Sequence, residues 1–124
     1  MLKNLCTVGA LCLALLAPDL AAAHGAHKAK HGGVVATSGD LGFELVATPG
    51  GAAIYIDDHD KPAAVTGMAG KLTVLNGSAK SEAVLAVAGD KLEAKGVTLA
   101  PGAKVVAALT TPAKKAITVR FTVK

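Results

Sequence analysis

The sequence predicts an all-β fold: a single antiparallel β-sandwich, immunoglobulin-like, of about seven or eight strands. Three observations carry this. Short runs rich in Val, Ile and Leu recur along residues 34–124, turn-forming clusters separate them, and no stretch keeps the 3.6-residue period of a helix. Only Phe43, Tyr55 and Phe121 are aromatic, so small aliphatic side chains must fill the interior in thin, closely packed layers.

The first segment stands apart from the domain. Residues 1–23 carry Lys3, an apolar run over 5–17, and Ala21-Ala22-Ala23 with small residues at the −3 and −1 positions. That order is the signature of a secretory signal peptide, and the run is shorter than the roughly 20 residues of a membrane span. Cleavage is expected between Ala23 and His24, leaving a periplasmic protein with no membrane anchor in its mature form. Cys6 and Cys12 lie in this segment, so the mature chain has no thiol for a disulfide, catalysis or a zinc site. Residues 24–33, HGAHKAKHGG, read as a flexible His-rich arm, and 34–124 as the β-domain.

Within the domain, strands are expected at 34–37, 41–47, 52–57, 71–75, 81–88, 91–95, 104–110 and 116–124. The last is the clearest: Ile117, Val119, Phe121 and Val123 alternate with Thr118, Arg120, Thr122 and Lys124, putting one face in a core and the other in water. Turn signals divide the strands at 38–40, 48–51, 76–77, 89–90, 101–102 and Pro112. Residues 84–88 have some helical character, but Val84, Val87 and the closing Gly89-Asp90 favour a strand.

Composition excludes several functions. Removing residues 1–23 takes away Lys3 and Asp19 together, so the formal net charge stays at +4. The lysines are scattered and aromatic stacking platforms are missing, so no nucleic acid is expected as a partner. The chain has no Gly-Xaa-Ser-Xaa-Gly elbow, phosphate-cradling loop or dinucleotide fingerprint. Ser38, Ser78 and Ser81 belong to turns or lie beside them, and Glu44, Asp57, Asp58 and Asp60 form no recognisable acid-base pair. The protein is therefore not expected to be an enzyme.

Histidine is what remains. His24, His27 and His31 fall within eight residues, and imidazole is the commonest nitrogen ligand of copper and zinc. A mature terminus at His24 would offer the α-amine and the imidazole together. The second cluster, Asp57-Asp58-His59-Asp60-Lys61-Pro62, adds nitrogen and oxygen donors, although the same residues suit a hairpin turn. Met68, a thioether with no second mature methionine, reads as a loop or core residue. If strand 34–37 pairs simply with 41–47, His31 and His59 lie at opposite ends, about six residues or roughly 20 Å apart. One shared site then needs the first strand to pair elsewhere or the arm to fold back, and two separate sites are the equal alternative.

The runs His31-Gly32-Gly33-Val34-Val35, Phe43-Glu44-Leu45-Val46, Ile54-Tyr55-Ile56-Asp57-Asp58-His59-Asp60-Lys61-Pro62, Gly67-Met68-Ala69-Gly70-Lys71-Leu72-Thr73-Val74 and Pro101-Gly102-Ala103-Lys104-Val105-Val106-Ala107 resemble those of small periplasmic proteins associated with heavy-metal efflux of the resistance-nodulation-division type. They are also similar to a β-domain of the periplasmic adaptor subunits of those pumps, without the adaptors' helical hairpin and lipoyl-like parts. The resemblance implies a periplasmic component of a metal efflux system as partner, with His31 and the Asp57–His59 turn as candidate ligands. The expected function is a transition-metal-binding buffer or chaperone for copper or zinc. His24 and His27 would capture the ion, His31 and His59 would complete its coordination, and Asp57 or Asp60 would supply oxygen. The alternative is a non-catalytic module docking to an efflux or envelope component. A third class, a copper oxygenase built on an N-terminal histidine chelate, lacks a partner histidine and an axial aromatic that the sequence can place.

Overall fold

Turn chemistry sets most of the architecture. The structure, a computed structural model, describes residues 28–124 and is all-β over that range. Its strands are β1 (Val34–Ser38), β2 (Leu41–Thr48), β3 (Gly51–Asp58), β4 (Lys61–Pro62), β5 (Ala69–Asn76), β6 (Ala79–Ala88), β7 (Lys91–Lys95), β8 (Lys104–Thr110) and β9 (Ala116–Thr122). The expected signal peptide, His24 and His27 lie outside the described residues. Two-residue loops close the β1–β2, β2–β3, β3–β4, β5–β6 and β6–β7 hairpins. All but the Pro49-Gly50 loop use a residue at positive φ, which Gly77, at +65° in the β5–β6 loop, supplies without a steric penalty.

All pairings are antiparallel, and the strands follow one path, β1-β2-β3-β7-β6-β5-β8-β9, with β4 added to β3. β6 makes the path continuous. Its first part, to Leu85, pairs with β5, while Ala86, Val87 and Ala88 pair with β7. Because β1 and β9, the two ends of the path, lie against each other, the sheet curls nearly into a barrel.

The interior is apolar throughout. Phe43 and Leu45 of β2, Ile54 of β3, Leu72 of β5, Leu92 of β7 and Phe121 of β9 all point into it. Burying each such side chain contributes about 1.5–3 kcal/mol relative to exposure.

Several sequence expectations change. Among the described residues there are nine strands, because β4 is two residues long and carries no period to read. β5 and β6 each begin two residues earlier than expected, at Ala69 and Ala79, since Ala69 and Gly70 pair with β8 and Ala79 and Lys80 extend the ladder to the β5–β6 turn. The strand path runs without a break through β6, where two separately stacked sheets were expected. Residues 84–88 are strand, as read, and Met68 is buried in the core.

Candidate functional site around Glu44, His31 and the β3–β4 hairpin

Strand β2 departs from simple alternation, with Phe43, Glu44 and Leu45 all buried. Phe43 and Leu45 face the core, so Glu44 must be covered on the outer side. A buried carboxylate is costly unless charge and hydrogen bonds compensate it. Here the base of the arm provides both.

The backbone N–H of Lys30 donates to Glu44 Oε1 at 2.9 Å, and those of His31 and Gly33 donate to Oε2 at 2.8 Å each. His31 Nδ1 meets Oε1 at 2.9 Å. Burial pushes the Glu44 carboxyl up, but the bond from His31 and the three backbone donors together outweigh it and hold the group below the ordinary glutamate value. An ionised carboxylate only accepts, so His31 Nδ1 donates to it and Nε2 is the ring nitrogen left turned away from Glu44.

The His-Gly-Gly sequence makes this wrap possible. Gly32 has φ +78°, a conformation that costs other residues about 1–2 kcal/mol. At Gly33 a Cβ would overlap the carbonyl oxygen of Leu45. The His31 ring then lies flat on Tyr55, with centroids 3.6 Å apart and planes 7° from parallel. Register explains the meeting: Glu44 on β2 is directly opposite Tyr55 on β3. The Lys91 ammonium completes the surround, 5.9 Å from the Tyr55 ring centroid.

Lys30 ties this cluster to the β3–β4 hairpin. Its ammonium forms an ion pair with Asp57 Oδ2 at 2.9 Å and donates to the Asp60 carbonyl at 3.1 Å. The hydrogen bond to Asp57 holds the lysine above its usual pKa against a smaller effect of desolvation, with the Asp57, Asp60 and Glu44 charges adding to it. In the hairpin, His59 and Asp60 have φ of +54° and +68°. Two successive positive φ values are the type I′ geometry of a two-residue hairpin loop, which matches the right-handed twist of the flanking strands. His59 Nδ1 contacts Asp58 Oδ1 at 2.5 Å, and its side chain is exposed.

The predicted site residues therefore divide into groups. His31 is docked at mid-strand of β2, over the Glu44–Tyr55 row, where an end-of-sheet position was expected. From there to the Leu41–Asp58 row is three residues, about 10 Å, because the arm base folds back over the sheet. Asp57 is paired with Lys30, Asp60 offers its carbonyl to the same lysine, and His59 forms the hairpin tip. Among the described residues no group of three or more His, Cys, Asp or Glu is placed to hold a metal ion. His24 and His27 lie outside them.

Glu44, Tyr55 and Lys30 were not among the expected site residues. Glu44 left one signal, a carboxylate within the apolar run Phe43-Glu44-Leu45-Val46, which demands partners from elsewhere in the chain. Tyr55 and Lys30 left none, since their roles depend on strand register. No protein-family model matches the chain, and comparisons with curated proteins and with solved structures find no similar protein.

Proposed function

We propose that the protein is a periplasmic transition-metal-binding accessory that buffers copper or zinc or hands it to a partner in metal resistance. One observation carries the reading. Both histidines of the described domain place Nδ1 against a carboxylate, His31 on Glu44 and His59 on Asp58, which leaves Nε2 turned away from the carboxylate. A ligating imidazole almost always donates its second N–H in this way, which fixes the tautomer and raises the basicity of the ligating nitrogen.

The described residues do not form a complete site by themselves. His31 Nε2 is the anchoring donor, and His24 and His27 of the same arm are the further nitrogen ligands. His59 joins them from the hairpin, with Asp57 or Asp60 as the oxygen donor. Neutral imidazoles in this number suit copper(II) and zinc, and they leave the ion exchangeable enough to pass on. The curled sheet serves as a rigid platform for the arm, with an interior of sandwich-like layers.

Calorimetric titration with copper(II), copper(I), zinc and nickel tests the reading. Micromolar or tighter binding by the wild type, lost when His24, His27 and His31 are replaced by alanine, supports it. Absence of binding by the wild type overturns it and favours the docking module.

A further inference from the structure

Among the described residues, the path of β6 leaves part of its backbone unpaired. From Ala79 to Leu85 it pairs on one side with β5, while its other side meets β7 only at Ala86, Val87 and Ala88. Beyond Glu93, β7 continues along β3 to Lys95 and diverges from β6. The result is an open groove lined by Glu82, Val84, Val87, Glu93 and Lys95, among others. Val84 is 74% exposed beside it and Val87 41%. An unpaired strand edge with an exposed apolar residue is a template for pairing with another strand.

We propose that two copies of the protein join along this edge, β6 against β6, antiparallel about a two-fold axis at Ser81. Charge decides both the occupant and the register. Lys80, Glu82 and Val84 alternate on the outer face. With Ser81 facing Ser81 of the second copy, Lys80 faces Glu82 and Glu82 faces Lys80, so two opposite-charge pairs form at once. Sliding to a Glu82–Glu82 register puts like charges directly opposite, which is destabilising. An axis at Ala83 sets Glu82 against Val84 and leaves both lysines unmatched.

In the Ser81 register, Lys80 of the second copy is the diagonal neighbour of Val84, and its methylene stem covers the valine. Within one chain Glu82 already lies 3.3 Å from Lys71 and 3.5 Å from Lys80. The second contact joins neighbours on the same strand, and the lysine across the axis replaces it. An isologous pairing of this kind closes on itself and leaves no free β6 edge for further copies.

Sedimentation velocity of the purified protein from micromolar to millimolar concentration tests this. A monomer–dimer equilibrium is expected. Glu82→Lys or Lys80→Glu alone should weaken it about tenfold or more, because each change turns both cross-axis pairs repulsive. The double exchange K80E/E82K should restore dimerisation. Far-UV circular dichroism checks that each variant keeps its strands, and Val84→Asp provides an independent disruption at the same edge. A wild type that stays monomeric at millimolar concentration overturns the proposal, as does a dimer that neither single exchange nor Val84→Asp weakens. The readout is independent of metal, so its failure would leave the metal reading untouched.

Discussion

Glu44 is the residue on which the candidate site depends. Its carboxylate gathers three backbone donors and one imidazole from the base of the arm, beside the Tyr55 stacking and the Lys30 ion pair that also hold that segment on the sheet. Because its pKa is depressed in the folded state, its stabilisation is fully present above the unfolded value of about 4.5 and is lost as pH falls through the lower folded value. Urea midpoints measured from pH 6 down to pH 3 should therefore decline through the acid range, and Glu44→Gln should flatten that decline. At neutral pH the same variant should lose about 1–3 kcal/mol, since its amide cannot accept from all four donors. It should also bind copper or zinc about 10–100-fold more weakly, as loss of a ligand's orienting partner does. At Gly33, alanine would press on the Leu45 carbonyl, so Gly33→Ala should expose the arm base to proteolysis while the strands persist by circular dichroism. Sequence alone made His31 visible as a donor but could not show what it leans on. Its partners are 13 and 24 residues away in the chain, and only strand register brings them together.

The hairpins were the most legible elements. Gly-Asp, Pro-Gly, Gly-Ser and Gly-Asp loops between alternating runs have a local cause, and the structure closes all four in two residues. The His59-Asp60 loop is less obvious because neither residue is glycine, yet both take positive φ. Replacing Asp60 with alanine should lower stability by about 1–2 kcal/mol, because alanine meets the left-handed penalty without the short polar side chain that tolerates it, read as a shift of the urea midpoint. His59→Asn keeps a residue suited to the turn while removing the imidazole. It should leave stability within about 0.5 kcal/mol and weaken metal binding if His59 is a ligand, a separation that calorimetry can read. What the sequence concealed at this scale was β4, too short for a pattern, and the change of partner in β6. That change shows only as two successive exposed residues, Ala86 and Val87, where the alternation breaks.

At the scale of the whole molecule, the curled sheet places a small aliphatic core on one side and the docked arm on the other. The all-β class was readable because alternation and turns are local properties. The continuous path was not, since it depends on which distant strands pair. Ile54 lies on β3, paired on its two sides with Leu45 and Leu92, and has no exposed surface. Ile54→Ala should cost about 2–5 kcal/mol, measured by denaturation. If the arm and platform hold a metal together, zinc at about 100 times its dissociation constant should stabilise the fold by about 2.7 kcal/mol. For a domain of this size that is a rise of roughly 10–20 °C in Tm, reversed by a chelator and absent when His24, His27 and His31 are alanine. The measurement that bears most directly on the central claim is the nitrogen NMR spectrum of the His31 ring, recorded without metal and during zinc titration. The account predicts a proton on Nδ1, a bare Nε2, and a zinc-dependent shift centred on Nε2. A ring protonated on Nε2, or one that zinc leaves unchanged, would contradict it.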